Sequence, residues 1–287
     1  MAIFTLLTPF KGAAQPYVDV LNLKYRSFPT ETGVENSNMK MKGNMMEAGF
    51  MLPMELKNKN YVLVGGDYSQ LNFCSTGANA STYSLYSTSL MLGYDQQLKN
   101  AAWRRTVLFI PKINGDYKGL DKSFQAGAVV MYTFKKKDNL KYHFGMYYNS
   151  EFFGAYFLPL VGIDWKINSK FNLFGDMPSN LSLEMKMNNS LKLGAGFVST
   201  IGSYRIHDQS GVSYIREGDK TFGHNQVKLY LSYSPAKSIT LFGEVGETIF
   251  RKYSAYASDH TLISTGNITS ADGVFITGGI AYRVATE

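Results

Sequence analysis

The stretch from Ser123 to Asn149, SFQAGAVVMYTFKKKDNLKYHFGMYYN, limits most tightly what this chain can fold into. Read with a period of two, Phe124, Ala126, Ala128, Val130, Tyr132 and Phe134 share one face, and Gln125, Gly127, Val129, Met131, Thr133 and Lys135 share the other. After Lys136-Lys137-Asp138-Asn139 the pattern returns, with Leu140, Tyr142, Phe144, Met146 and Tyr148 alternating against Lys141, His143, Gly145, Tyr147 and Asn149. Alternation of this kind around a tight charged turn is a β-hairpin with one wholly apolar face. Each arm runs about ten residues, which at a tilt of roughly 45° crosses the hydrocarbon layer of a bilayer.

The same period recurs along the chain. Strands are expected over 17–26, 38–54, 61–73, 82–94, 102–112, 123–135, 140–149, 155–167, 171–174, 181–187, 191–197, 226–233, 239–248 and 274–283. A bulge near Met45-Met46-Glu47 is expected to shift the phase of the second strand by one residue. Gly175–Asn180 reads as a Gly/Pro turn and Thr200–Gly223 as the longest irregular stretch. Short turns follow Leu56, Asp95, Lys135, Ile167, Met187 and Ser234; longer polar loops follow Ser27, Phe73, Ile113, Asn149, Ile201 and Tyr253. Such an alternation belongs to an all-β, antiparallel, up-and-down transmembrane β-barrel of about 12–14 strands, with short periplasmic turns and longer extracellular loops. The lower count holds if the 171–187 hairpin is only an insertion. A β-sandwich is disfavoured, because its strands run about five or six residues and bury a shared core.

Composition agrees. No run approaches the ~18 consecutive apolar residues of a membrane helix, which excludes a helical span but not a barrel. The chain has 20 Tyr and 19 Phe but only 8 Pro among 287 residues. Tyrosine suits a membrane interface, where its ring is buried and its hydroxyl stays wet; proline cannot donate to a strand ladder. The net charge of +7 is spread over alternate positions and turns such as Lys57-Asn58-Lys59, which argues against a nucleic-acid partner. The single cysteine, Cys74, permits no internal disulfide and reads as a passive residue near a strand end. Residues 1–15, MAIFTLLTPFKGAAQ, combine a short apolar run with small residues and read as the remnant of a signal peptide. Residues 16–287 then form a single barrel domain.

On this pattern, over about residues 16–284, the chain resembles the outer-membrane β-barrel families of unknown function from Gram-negative bacteria. The resemblance implies a place in the cell outer membrane, with the lipid bilayer as partner. Such barrels usually end on an aromatic residue that assists assembly, whereas this chain ends Tyr282-Arg283-Val284-Ala285-Thr286-Glu287.

If the apolar sets face lipid, the polar sets line the lumen: Lys141, His143, Tyr147, Asp164, Lys166, Glu184, Lys186, Lys192, Lys228, Tyr230, Glu244 and Arg283. Two readings stand side by side. The basic excess could form a path or binding site for small polar, even anionic, solutes. The same charges could instead pair across neighbouring strands and fill the interior, leaving a non-conducting structural or surface-interaction barrel. A third reading, a membrane-embedded lipid hydrolase, needs a serine within reach of a histidine held by a carboxylate. Here His207, His224 and His260 fall at loops, His143 points inward, and no G-x-S-x-G context exists; the chain is read as no enzyme. No cofactor is expected. Asp116 with Asp121, and Asp208 with Asp219, are loop carboxylates without a diagnostic calcium spacing. The Met39–Met54 run reads as lipid-facing filler rather than a copper site, so no metal is expected. Gly65-Gly66 and Gly278-Gly279 lie within strands and read as bends or close strand contacts. Oligomeric state has no signature in the sequence.

Overall fold

A computed structural model describes residues 17–33, 40–76, 82–207, 211–218, 223–263, 268–269 and 272–285. The signal-peptide reading of residues 1–15, and the pair Asp208 with Asp219, lie outside the described residues.

Fourteen antiparallel strands close a single wall. In chain order they begin with β1 (Tyr17–Gly33), β2 (Lys40–Glu55), β3 (Tyr61–Thr76), β4 (Thr82–Gln97), β5 (Trp103–Gly115), β6 (Phe124–Lys137) and β7 (Leu140–Glu151). Then come β8 (Gly154–Lys166), β9 (Phe171–Met177), β10 (Asn180–Lys186) and β11 (Leu191–Thr200). Two short strands, β12 (Gly202–Arg205) and β13 (Tyr214–Glu217), leave the wall before it resumes with β14 (His224–Ala236) and β15 (Ile239–Ile249). Two more, β16 (Lys252–Tyr256) and β17 (Ile268–Thr269), precede the last wall strand, β18 (Val274–Ala285). Each wall strand pairs with the next, β11 joins β14, β15 joins β18, and β18 closes on β1 from Tyr17↔Ala285 to Ser27↔Ile276.

The short turns form as their side chains dictate. Asn168 Oδ1 accepts the backbone N–H groups of Lys170 and Phe171, and Asn188 Oδ1 does the same for Ser190 and Leu191, so each asparagine mimics a backbone turn. These turns share one end of the barrel. The other end carries the long connections and faces the exterior in barrels of this kind.

Within the membrane band the alternation is as read from sequence. Val130, Phe144, Val161, Leu229, Val245 and Ile276 stand exposed on the outside, and Thr133, His143, Glu184, Thr240 and Thr277 are buried inside. A bare apolar exterior of this extent is a lipid contact, not a soluble surface. The 171–187 hairpin belongs to the wall, which fixes the count at fourteen.

Several expectations are corrected. β2 and β3 pair without interruption from Lys40↔Thr76 to Glu55↔Tyr61, so there is no bulge at Met45–Glu47. Register shifts lie instead in β1, at Asp19/Leu21 and Phe28/Thr32, and beside the turns at Lys135/Lys137 and Tyr233/Ala236. The Met39–Met54 run is not uniformly lipid-facing: Met46 and Met54 are exposed outside, whereas Met45, opposite Leu71, packs inside against the buried apolar cluster of the wall. Methionine serves on either face, which is why its run hides the phase. The connection after Asn149 is only Phe152-Phe153, and β9 extends through Gly175 to Met177, leaving Pro178-Ser179 as the turn. The two longest loops are not irregular but carry β12, β13, β16 and β17.

Those four strands pair in that order into a small sheet, bridged to the wall at Arg205↔Gly115. It sits inside the long-loop mouth. Tyr204, Ile206 and Tyr253 of this segment pack against Phe28, Leu71, Phe73, Leu85 and Phe275 of the wall, all buried. There the polarity of the wall inverts. Its outer side carries Asn44, Tyr68, Gln70, Asn72 and Ser84, joined in one hydrogen-bonded row, and its inner side is apolar.

Candidate functional site

The interior of the membrane-spanning part is the candidate site. Cross-strand register sets its rows, and the expected residues other than Lys166 and Lys186 fall on inward positions. Lys141 lies opposite Asp164, with Nζ to Oδ2 at 3.5 Å. His143, 1% exposed, places Nδ1 2.8 Å from Asp176 Oδ1. Gly162 sits between them in the row His143–Gly162–Asp176. A β-carbon at Gly162 would lie 2.0 Å from Asp176 Oδ1 and 2.9 Å from His143 Nδ1, so only glycine lets the carboxylate reach across a whole strand. Tyr147 Oη accepts from Lys112 Nζ at 2.6 Å.

On the opposite wall, Glu184 is fully buried and accepts from Lys192 Nζ at 2.9 Å and from Tyr17 Oη at 3.4 Å. Tyr230 folds over Gly194, where a β-carbon would come within 2.1 Å of its ring. Lys228 Nζ stands 2.5 Å from Glu244 Oε1. Arg283 forks onto Asp19, with Nε at 2.6 Å and Nη2 at 3.1 Å, and covers the Tyr17 ring. Lys166 and Lys186 sit at the strand ends by the short turns and are exposed, so they belong to the rim of the lumen rather than to its interior.

Sequence reasoning missed several partners. Arg26 donates to Gln226 at 2.9 Å and Thr277 at 3.0 Å and stands 3.7 Å from both Glu47 and Glu244. Lys24 lies 4.0 Å from Glu47. Arg104 pairs with fully buried Asp95. Continuing the β1 alternation through Lys24 and Arg26 would have found the first two; Asp176 was lost to the expected turn, and Glu47 to the expected bulge. Among these groups a cavity of about 190 Å³ remains, lined by Tyr17, Asp19, Lys24, Phe174, Asn180, Ser182, Val198, Lys228, Tyr230, Phe242, Glu244 and Arg283.

Above it polar anchors tie the loop sheet to the wall. Ser203 Oγ of β12 donates to Glu151 Oε2 at 2.6 Å and accepts from the backbone N–H of Phe152 at 2.9 Å. Gln125 and Asn149, both fully buried, complete this cluster. Asp116 accepts the His207 backbone N–H at 2.9 Å, and its other oxygen meets His207 Nδ1 at 3.0 Å. Burial opposes its charge, but these hydrogen bonds outweigh it and hold the carboxyl below its ordinary range. Glu217 of β13 meets His224 Nδ1 at 2.7 Å and accepts from Tyr253 at 3.1 Å and Tyr204 at 3.3 Å. Its burial is likewise overcome, and its carboxyl is also held low.

His143, His207 and His224 thus each carry a carboxylate on Nδ1, while none of their buried Nε2 atoms has a hydrogen-bond partner among the described residues. A hydrolase would place a serine there. No group of three His, Cys, Asp or Glu side chains able to hold a metal occurs among the described residues.

The family model described as a domain of unknown function (DUF6268) matches residues 11–264, so the chain belongs to that family. No curated protein matches the chain. The crystal structure of the COG4313 outer membrane channel from Pseudomonas putida F1 is similar over 96% of this chain and 98% of that one, with a TM-score of 0.52 and 8% identity. Outer membrane phospholipase A from Escherichia coli aligns over 97% and 98% at a TM-score of 0.38 and 13% identity, and the NanC porin over 92% and 100% at 0.40 and 9%. The first shows the fold: this is an outer-membrane-type β-barrel of a family without an assigned function.

Proposed function

We propose that this member of a family of unknown function is a channel-type barrel of the Gram-negative outer membrane that binds and passes small polar solutes, with an extracellular mouth closed by its own loop sheet. The observation that carries this reading is the cavity of about 190 Å³ among Lys24, Lys228, Arg283, Asp19 and Glu244. Its lining sets the close pairs Lys228–Glu244 and Arg283–Asp19 beside Lys24, whose nearest carboxylate oxygen is 4.0 Å away, and so offers a small polar solute both charge and hydrogen-bond partners. The inward rows Lys141, His143, Tyr147 and Asp164, and Glu184, Lys192, Lys228, Tyr230, Glu244 and Arg283, line the path; Lys166 and Lys186 form its periplasmic rim. The basic side chains supply the preference for anions.

Planar-bilayer conductance of the refolded protein under a salt gradient tests the reading. The intact barrel is expected to conduct weakly, and a variant lacking residues 203–217 several-fold more strongly with anion preference. Lys24→Glu in that background is expected to lower the preference. A loop-deleted barrel that is folded, as judged by heat-modifiable mobility, yet carries no current would leave the non-conducting structural reading.

A further inference from the structure

β9 and β10 have seven residues each, whereas β8 before them has thirteen. Pairing of β8 with β9 runs only from Val161↔Met177 to Lys166↔Asn172. Gly154–Leu160 therefore pairs with β7 on one side and, among the described residues, with no strand on the other. Across the gap β11 meets β10 no higher than Asn180↔Val198, apart from one bond from Ser199 N–H to Ser179 O. The chain then turns inward, and Ser203 reaches the Phe152 backbone to close the frame at the top. The opening lies above the hairpin tip, two strands or about 10 Å wide.

The edge of β8 is adapted to this. Lys166 donates its N–H toward β7, to Asn139 O, so by strand alternation the nitrogens of odd-numbered residues face the gap. The first of these beyond β9 is Pro159, which has no N–H to leave unpaired. The sill and jamb are apolar. Phe157 stands outside at 59% exposure beside Tyr148, and Leu158 and Leu160 take the inward positions. An open strand edge is not tolerated against lipid unless it borders a cavity. The cavity described above reaches this opening, because Asn180 and Val198, the top pair of β10 and β11, line it.

We propose that this opening is a lateral entrance from the outer leaflet, and that it binds a single-chain anionic amphiphile. The carboxylate or phosphate head sits in the cavity near Lys24, and the acyl chain passes out over Leu158 and Leu160. Lys24 is the cation to supply the charge, since the nearest carboxylate oxygen it meets is 4.0 Å away at Glu47, whereas Lys228 and Arg283 hold Glu244 and Asp19 closely. The head group is small because the cavity is.

Tryptophan quenching tests this independently of conductance. With Trp103 and Trp165 replaced by Phe, one tryptophan is placed at Phe157, Leu158 or Val129. The last two share a cross-strand row through Tyr147, but Val129 stands behind unbroken wall. In vesicles of phosphatidylcholine brominated on its acyl chains, Phe157→Trp reports lipid. Leu158→Trp is expected to be quenched at least half as strongly, and Val129→Trp hardly at all. In unbrominated vesicles, bromostearate is expected to quench Leu158→Trp, with Lys24→Gln raising its half-maximal concentration several-fold. Quenching at 158 no greater than at 129 would overturn the entrance. So would loss of quenching at both 157 and 158 with a dimer-sized species, which would mean that a second copy covers the edge. An unchanged titration in Lys24→Gln would overturn the head-group site. Heat-modifiable mobility of each variant confirms that it has folded.

Discussion

The barrel has two storeys built on opposite rules. Through the membrane its strands carry apolar residues outside and charged or polar ones inside; at the mouth the same strands carry Asn44, Gln70 and Asn72 outside and Phe28, Leu71, Phe73 and Phe275 inside. The backbone does not change between them. What changes is the neighbour on each side: lipid outside and water or ions inside below, water outside and a second sheet inside above. A barrel wall thus records its surroundings residue by residue, and the height at which the pattern inverts marks where the bilayer ends.

The sharpest way to break this contrast is to remove an inward aromatic from the mouth. Phe275→Ala, at a fully buried site, is expected to cost about 3–5 kcal/mol in equilibrium urea unfolding from vesicles and to release the loop sheet to protease. Next is a charge on the outer face at two heights. Leu229→Arg, on the lipid side of β14, is expected to cost about 2–4 kcal/mol, and Gln70→Arg on the wet rim about 0–1 kcal/mol; equal costs would mean that the inversion does not mark the membrane boundary. Ser203→Ala, which removes one hydrogen bond each from buried Glu151 and Gln125 and from the Phe152 N–H, is expected to cost about 1–3 kcal/mol and to raise the open probability in single-channel records.

Acid is a milder lever on the mouth alone. Glu217 and Asp116 are both held below their ordinary ranges, so their stabilisation of the closed sheet is fully present above those ranges and fades as pH falls through the depressed values. Proteolysis of the loop sheet is expected to rise below about pH 4, and Glu217→Gln is expected to flatten that rise. At the bottom of the scale is the Lys135–Asp138 pair in the β6–β7 turn, where Asp138 stands wholly in solvent. Asp138→Asn is expected to leave the unfolding midpoint unchanged.

The lower storey was legible in the sequence because a single rule, period two with one apolar face, holds in β6, β7, β8, β14 and β15. It also placed Lys141, His143, Asp164, Glu184, Lys228 and Glu244 on inward positions. The upper storey was not. In β2, Gly43 and Met45 face in and Met46 faces out, and reading them under the membrane rule produced a bulge that does not exist. Asp176 was hidden because Gly175-Asp-Met-Pro178 has turn composition, although β9 runs through most of it. Four strands in the loops, two to five residues each, are too short to show a period at all. Their structure comes from packing on a wall that the local sequence does not mention.

The closure of β1 on β18 has a consequence for how the molecule is made. Asp19 and Arg283, whose ion pair fastens that seam, are 264 residues apart. Until β18 arrives, β1 and β15 both present bare edges, and no circle exists to keep lipid from the polar rows. Assembly therefore cannot be completed segment by segment as the chain emerges. Growing sheets must be sheltered until the last strand is in hand, and a chain cut short before Val274 has two open edges with nothing to join them.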